Sequence, residues 1–267
     1  MKTGFAAALT GALLVATPLA AQTRIPGDPH ADDPAGIVDS PCPTDHGIEQ
    51  AGGWQMTNLH MLTRDFGQLC RYREDNARLL AARTPVRVVF MGDSITDGWI
   101  NADRDLFTNG LVDRGISGQT TPQMLVRFRQ DVIALHPRAV HIMAGTNDIA
   151  GNTGAATMET VQGHIQSMAE LARAHGIKVI LASIPPAIAF SWNPAKRPAP
   201  QIQAFNRWLQ DYARRNGFTY IDYHHVLATP DGGMKPGFAK DGVHPTVAGY
   251  AAMRPLTLDA IRRTLER

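Results

Sequence analysis

The chain has 267 residues, of which 44% are hydrophobic, 19% charged and 7% aromatic. This balance excludes a disordered chain, because it holds enough apolar side chains to offset the entropy lost on folding. The 24 glycines follow no period of three and there are only 2 cysteines, which excludes a collagen-like or disulfide-scaffold protein. The net charge is +2 without a basic block, so we expect no nucleic-acid partner.

The first segment, residues 1–21, has the pattern of a secretory signal peptide. Lys2 supplies a positive charge, an apolar run follows, and small residues lead up to Ala21. The apolar run has about 12 residues, short of the roughly 20 needed to span a bilayer. We therefore expect cleavage after Ala21, and a mature chain that is secreted or periplasmic and has no stable membrane span.

The next segment, residues 22–53, is rich in Pro, Gly and Asp and has no sustained periodicity, which predicts an N-terminal arm or linker. Residues 54–267 are expected to form the main domain. Cys42 and Cys70 are the only cysteines. Because a single pair is more often bridged than free in an oxidising compartment, we expect them to form a disulfide.

The main domain begins with a helical pattern over residues 54–82, in which apolar residues recur at steps of three and four. Short apolar runs then alternate with helical patterns. The predicted strands cover residues 86–91, 111–116, 139–143, 177–182 and 219–223, and the predicted helices residues 122–135, 158–175, 202–216 and 248–265. This alternation predicts an α/β fold with a parallel sheet covered by helices on both faces. In such a sheet the chemistry lies in loops at the carboxyl ends of the strands.

The loop after the first predicted strand holds a candidate nucleophile, Ser94. It follows Gly92 and Asp93 at the entrance to a helical segment, where backbone amides and the helix dipole favour developing negative charge. Serine is also a common helix N-cap. Thr96 stands where a Gly-x-Ser-x-Gly elbow would need its second glycine, so that motif is absent.

The loops after the second and third predicted strands hold candidate donors to an oxyanion. Gly118 offers a backbone amide free of Cβ crowding, although most such glycines serve only the turn. Asn147 could donate from its side-chain amide to the same oxyanion, or could simply form a turn.

Near the end of the chain, Asp241 stands three residues before His244. Across a turn, this spacing lets the carboxylate accept a hydrogen bond from one ring nitrogen while the other nitrogen faces outward as a base. A single Asp-x-x-His is usually no more than a capped turn, and the chain has 10 histidines. Each of these signals is modest alone.

Together the four segments resemble, in order, the four signature blocks of the SGNH hydrolases, also called the GDSL esterase/lipase family. The blocks are residues 92–94, 115–118, 145–148 and 241–244, and the resemblance extends over about residues 54–265. It implies a three-layer α/β/α sandwich with a five-stranded parallel sheet of the flavodoxin-like kind. Asp113, where members often carry Asn, is a departure from the pattern.

The resemblance also implies roles for individual residues. Ser94 would be the nucleophile, His244 the general base and acid, and Asp241 the carboxylate that orients the imidazole. The oxyanion hole would consist of the backbone N–H groups of Ser94 and Gly118 and the side-chain amide of Asn147. No cofactor is implied, and calcium, nicotinamide and nucleotide motifs are absent from the sequence.

The function so implied is a secreted carboxylic ester hydrolase acting on short-chain, chiefly acetyl, esters of carbohydrates, either small molecules or polysaccharides. A lipase, lysophospholipase or thioesterase of the same fold is the alternative. The candidate substrate contacts are Trp99, Ile149 and Trp192, and Pro185 and Met234 are further candidates for the pocket wall. Each is of a residue type more often found in the core or as an ordinary surface residue. Residues 187–200 could form a lid or a wall of the site.

Two readings from other classes compete with an esterase. A metal-dependent phosphoesterase would use ligand types such as Asp93 and Asp148, but it needs further imidazole ligands at matched spacing. We expect His141 in the core, and His224 and His225 on opposite sides of a strand end, where they could not easily share a metal. A non-catalytic carbohydrate-binding module would need none of the Ser, Asn, Asp and His residues of the four blocks.

Overall fold

A parallel β-sheet carries the domain, and its strands are the apolar runs expected from the sequence. The computed structural model describes residues 36–39, 41–42, 61–62 and 64–266. Within these residues the sheet has five strands in the order β2-β1-β3-β4-β5. The strands are β1 (Val88–Gly92), β2 (Leu111–Gly115), β3 (Ala139–Met143), β4 (Lys178–Ala182) and β5 (Thr219–Ile221). This confirms the predicted α/β fold, and the strand order is the flavodoxin-like one.

The strand register brings the ends of the central strands level. β1 and β3 are buried along their whole length, as expected for strands covered on both faces. Gly92 at the end of β1 pairs with Gly115 at the end of β2 and with Met143 at the end of β3. The loops that follow these three strands therefore leave the same edge of the sheet side by side, which places the first three sequence blocks together.

Helices cover both faces of the sheet. They are α1 (Arg73–Ala81), α2 (Ser94–Asp97), α3 (Trp99–Ala102), α4 (Thr121–Asp131), α5 (Thr146–Ala150), α6 (Met158–Ala174), α7 (Ala199–Asn216), α8 (Tyr223–Leu227) and α9 (Val247–Glu266). Helix α4 packs on α6, while α9 contacts α3 and α8. Successive strands are added outward from β1 to β2 and then in the opposite direction, from β3 to β5. Because parallel crossovers are right-handed, this change of direction places the two groups of helices on opposite faces. The result is the expected α/β/α sandwich.

The predicted helix over residues 54–82 is wrong for residues 64–72, which form turns. The physical reason is local competition for backbone amides. The Asp65 carboxylate accepts hydrogen bonds from the amides of Leu69 at 2.8 Å and Cys70 at 3.2 Å. Side-chain acceptors of this kind stabilise a turn at the expense of helical bonds.

The placement of His224 and His225 at a strand end is also wrong. β5 ends at Ile221, and both histidines lie in the short helix α8. Asp222 begins this helix, because its side chain accepts a hydrogen bond from the His225 amide at 2.9 Å. The His224 amide donates to the Ser183 hydroxyl at 2.9 Å, which ties α8 to the end of β4.

The two cysteines of the chain, Cys42 and Cys70, are both disulfide-bonded, which confirms the expected disulfide. Within the described ranges, no helix is long and apolar enough to cross a bilayer. The predicted signal peptide at residues 1–21, most of the predicted arm at 22–53, and residues 54–60 lie outside the described residues.

Candidate active site

Ser94, His244 and Asp241 form a hydrogen-bonded chain beside the end of β1. The Ser94 Oγ lies 2.9 Å from the His244 Nε2, and the His244 Nδ1 lies 2.7 Å from the Asp241 Oδ2. Because an ionised carboxylate only accepts, the ring proton of His244 belongs on Nδ1, and the Ser94 hydroxyl donates to the bare Nε2. A neutral imidazole in this position can remove the serine proton.

The Asp241 carboxylate is held by the turn that carries it. Its Oδ1 accepts hydrogen bonds from the amides of Val243 at 3.0 Å and His244 at 2.8 Å. Partial burial acts to raise the pKa of Asp241, but these hydrogen bonds and the one from the His244 ring outweigh it, so the pKa lies below its usual value. The turn needs a positive φ of 84° at Gly242, a conformation that glycine adopts without strain.

Ser94 is presented by a tight strand-to-helix junction. The Asp93 side chain accepts a hydrogen bond from the Ile95 amide at 2.9 Å and so begins α2 at Ser94. Burial raises the pKa of Asp93 to about 6. A Cβ on Gly92 would lie 2.0 Å from the hydroxyl oxygen of the buried Thr96, so only glycine fits there. Thr96 therefore packs on this junction instead of serving an elbow motif.

The loop after β2 is fastened to helix α2 by Asp97. Its Oδ2 accepts hydrogen bonds from the Ser117 hydroxyl at 2.6 Å and the Ser117 amide at 3.3 Å. A Cβ on Gly115 would lie 2.1 Å from the Asp97 amide nitrogen, which explains the glycine at the start of this block. Gly118 has a φ of +81°, and in the described hydrogen bonds its amide has no acceptor.

Asn147 turns its side chain toward the same loop. Its Nδ2 donates to the Gln119 carbonyl at 3.0 Å, and its Oδ1 accepts a hydrogen bond from the Asn152 Nδ2 at 3.0 Å. One hydrogen of the Asn147 Nδ2 is left over from these contacts. The Ser94 amide, at the first position of α2, likewise has no acceptor among the described hydrogen bonds. All three predicted oxyanion donors thus lie on neighbouring loops.

A fully buried ion pair lies beneath these loops. The Arg127 guanidinium donates to the Gly92 carbonyl at 3.0 Å, to the Gln119 side chain at 2.6 Å and to Asp131 at 3.1 Å. The side chains of Arg127 and Asp131 are both 0% exposed. Arg127 therefore links the end of β1 to the loop after β2, a role that its place in a helical pattern did not predict.

The predicted substrate contacts fare differently. Trp99 is wrong as a pocket residue, because it is 0% exposed and its ring packs against Phe90 and Tyr250 in the core. Trp192 is 42% exposed, stacks on the buried Phe190 at 5.0 Å, and its ring centre lies 6.0 Å from that of His244.

The remaining candidates lie at the edges. Ile149 is partly buried and lines a cavity of about 160 Å³ together with Met158, Lys196 and Phe205. Pro185 is buried, so it presents no surface to a substrate. Met234 is partly buried against the core.

The carboxylates considered as metal ligands are engaged within the fold. Asp93 caps α2, and Asp148 accepts hydrogen bonds from the Thr121 hydroxyl at 2.6 Å and the Thr121 amide at 3.0 Å. Among the described residues, no group of three or more His, Cys, Asp or Glu is arranged to hold a metal ion. His141 is buried beside Tyr223, as expected, and burial lowers its pKa to about 3.

Comparison with known proteins identifies the family of this chain. Residues 90–252 match the model of the GDSL-like Lipase/Acylhydrolase family. The chain belongs to this family, the SGNH hydrolases, and is a carboxylic ester hydrolase.

Two solved structures agree with this assignment, and the chain also resembles one curated protein. A protein of Bacteroides fragilis assigned as an acylhydrolase is 47% identical with a TM-score of 0.72, over 75% of this chain and 99% of that one. A GDSL-like lipase of Bacteroides thetaiotaomicron is 46% identical with a TM-score of 0.71, over 74% and 99%. The uncharacterized lipoprotein YqeF of Bacillus subtilis is 34% identical over 179 residues, which are 55% of this chain and 74% of that protein.

Proposed function

We propose that Ser94, His244 and Asp241 are the catalytic triad of this esterase. The observation that carries the proposal is the continuous chain from the Ser94 Oγ to the His244 Nε2 at 2.9 Å and from the His244 Nδ1 to Asp241 at 2.7 Å. The Ser94 Oγ attacks the ester carbonyl carbon while the His244 Nε2 takes the hydroxyl proton. His244 then gives this proton to the leaving alkoxide, the C–O bond of the ester breaks, and an acyl-enzyme remains.

Water completes the cycle by the same route. His244 removes a proton from the water that attacks the acyl carbon, and the Ser94 oxygen leaves with that proton as the free acid departs. In both halves the carbonyl oxygen becomes negative. The amides of Ser94 and Gly118 and the Asn147 Nδ2 would donate to it, and a single donor of this kind contributes about 3–4 kcal/mol to the transition state.

The substrate we propose is a short-chain, chiefly acetyl, ester of a carbohydrate. The support is Trp192, whose exposed ring stands beside His244. An aromatic face at this distance from the triad suits the apolar face of a sugar ring while an ester on that ring reaches Ser94. Residues 187–200 would act as a wall, because Phe190 is fully buried and the Asn193 side chain donates to the Ala150 carbonyl at 2.7 Å.

We also propose that the protein is exported. The pattern of residues 1–21 supports this, and the Bacillus subtilis relative is a lipoprotein. Cell fractionation and sequencing of the mature N-terminus test it, with Gln22 expected as the first residue. A mature chain that retains Met1 would contradict the proposal.

The decisive experiment on the chemistry is turnover of p-nitrophenyl esters from acetate to laurate, with and without EDTA. Ser94→Ala is the test variant, and Ser167→Ala, on helix α6, is the matched control. We expect activity that survives EDTA, vanishes in Ser94→Ala, persists in Ser167→Ala and falls steeply beyond butyrate. Loss only in EDTA would overturn the serine mechanism in favour of metal-dependent hydrolysis.

The acyl and alcohol parts of the substrate are tested separately. Activity that peaks at long chains would replace the acetyl proposal by a lipid substrate. With glucose pentaacetate, Trp192→Ala should raise KM at least about threefold more than it does with p-nitrophenyl acetate, because only the sugar can stack on the ring. Equal effects on both substrates would contradict the proposal that a sugar ring stacks on Trp192.

A further inference from the structure

Asn152 lies at the centre of a chain of hydrogen bonds that begins at Trp192 and ends in the loop after β2. The Trp192 Nε1 donates to the Asn152 Oδ1 at 3.2 Å. The Asn152 Nδ2 donates to the Gly118 carbonyl at 3.2 Å and to the Asn147 Oδ1 at 3.0 Å. The Asn147 Nδ2 in turn donates to the Gln119 carbonyl at 3.0 Å. The chain thus joins a residue beside His244 to two of the proposed oxyanion donors.

The direction of this chain is determined by its ends. An indole N–H only donates, and a backbone carbonyl only accepts. The Asn152 oxygen must therefore face Trp192, and its nitrogen must face Gly118 and Asn147. The Asn147 oxygen is then occupied as an acceptor, so its nitrogen is the atom presented to the loop and to the reacting carbonyl oxygen.

The backbone around Asn152 is built to return this side chain over the start of α5. Helix α5 ends at Ala150 and is capped by Gly151, whose φ of +84° is a conformation suited to glycine. The amides of Gly151 and Asn152 both donate to the Asn147 carbonyl, at 2.9 and 3.0 Å. The side chains of Asn152 and Asn147 are thereby brought together although they are five positions apart.

We infer that Asn152 is a positioning residue of the oxyanion hole, which orients the Asn147 amide and the Gly118 carbonyl. The inference rests on the proposed function of Asn147 and Gly118. In the described hydrogen bonds Asn152 does not contact Ser94, His244 or Asp241, so it acts through its neighbours. Its effect should therefore fall on turnover and depend on the presence of Asn147.

A double-mutant cycle with p-nitrophenyl acetate tests this inference. Asn152→Ala should lower kcat roughly 10- to 50-fold with KM within about threefold, because the donors orient the transition state and not the bound ester. In an Asn147→Ala background the same change should lower kcat by about threefold or less, since the main group it orients is gone.

Asn193→Ala is the matched control. This asparagine also ties the segment of Trp192 to the end of α5, through the Ala150 carbonyl, but its described side-chain hydrogen bond reaches neither Asn147 nor Gly118. Its effect on kcat should be the same factor with and without Asn147, as for a residue that acts only on the local structure. Positioning is supported if the loss of Asn147 reduces the effect of Asn152→Ala on kcat but leaves the effect of Asn193→Ala unchanged.

The outcomes separate this inference from the function on which it rests. If Asn152→Ala lowers kcat equally in both backgrounds, or not at all, while Asn147→Ala alone lowers it strongly, the positioning role is overturned and the oxyanion role stands. If Asn147→Ala retains kcat, the oxyanion role fails and the inference fails with it. Should Asn152→Ala not fold, Trp192→Phe repeats the cycle, because it removes only the indole N–H that donates to Asn152 and keeps an aromatic ring. We expect Trp192→Phe to lower kcat about three- to tenfold, and to leave kcat unchanged in the Asn147→Ala background.

Discussion

The two halves of the site are held in different ways. The Asp241–His244 half is a single turn, in which each side chain is 35% exposed and the hydrogen bonds join residues two or three positions apart. The half that contains Ser94, Gly118 and Asn147 is assembled from three loops and rests on buried groups distant in sequence. The difference predicts that chemistry can be removed from the first half at little cost in stability, whereas damage to the second half also weakens the fold.

The largest effect is expected in the local half. Asp241→Asn should lower kcat about 10⁴-fold at neutral pH, because the amide favours the wrong imidazole tautomer while the geometry persists. The Asn oxygen can still accept from the Val243 and His244 amides, so we expect a nearly unchanged thermal midpoint. Kinetics and thermal unfolding measured on one preparation check both statements. A large drop in the midpoint would show that this turn is not as independent as its local bonds indicate.

The second effect tests the buried support of the other half. Arg127→Met should lower the free energy of unfolding by about 3–5 kcal/mol, because it leaves the Asp131 carboxylate buried without its counter-charge. Urea unfolding measures this. Arg127→Met/Asp131→Met is the control and should recover part of the loss, since no buried charge remains unpaired, while the Gly92 carbonyl and the Gln119 side chain still lack the guanidinium. A loss below about 1 kcal/mol in the single variant would contradict the role given to the ion pair.

The third prediction separates catalysis from support within that half. Asn147→Ala should lower kcat about 10²–10³-fold, the usual cost of one oxyanion donor. We expect a smaller loss of stability than in Arg127→Met, because no charge is left unpaired. Steady-state kinetics with p-nitrophenyl acetate and urea unfolding check the two parts. Turnover close to that of the unchanged protein, in a folded variant, would remove Asn147 from the oxyanion hole.

The same difference explains how much the sequence could reveal. The Asp241–His244 contact could be predicted because both residues lie in one turn, so that their spacing in the sequence determines their geometry. β3 has the predicted bounds because its five residues are all buried and form one apolar run. Asn152 and Arg127 were not foreseen, because their partners lie up to 40 positions away and are fixed only by the packing of the sheet. Trp99 was misplaced for the same reason, since an aromatic side chain beside a motif gives no sign of which face it will occupy.

The smallest effect is expected at Asp113, in β2 behind the second loop, where the resemblance to the family leads us to expect Asn. The Asp113 Oδ1 accepts a hydrogen bond from the Gly115 amide at 2.7 Å, while its buried Oδ2 has no partner among the described residues. Burial raises the pKa of Asp113 to about 7. The unfolded chain releases this proton near its ordinary pKa, whereas the folded chain keeps it until about pH 7. The contribution of Asp113 to the free energy of unfolding is therefore largest at low pH and falls as the pH rises toward 7.

Asp113→Asn removes that titration and keeps the acceptor for the Gly115 amide. The variant should therefore gain in free energy of unfolding, relative to the unchanged protein, by about 2 kcal/mol more at pH 8 than at pH 5. The other carboxylates of the site, Asp93 among them, are present in both proteins, so their titrations cancel in the difference. Urea unfolding at both pH values measures the gain. A gain that is the same at pH 5 and pH 8 would show that Asp113 is ionised in the fold across this range. The half of the site built from distant residues would then stabilise a buried carboxylate charge, although the Oδ2 of Asp113 has no described hydrogen-bond partner.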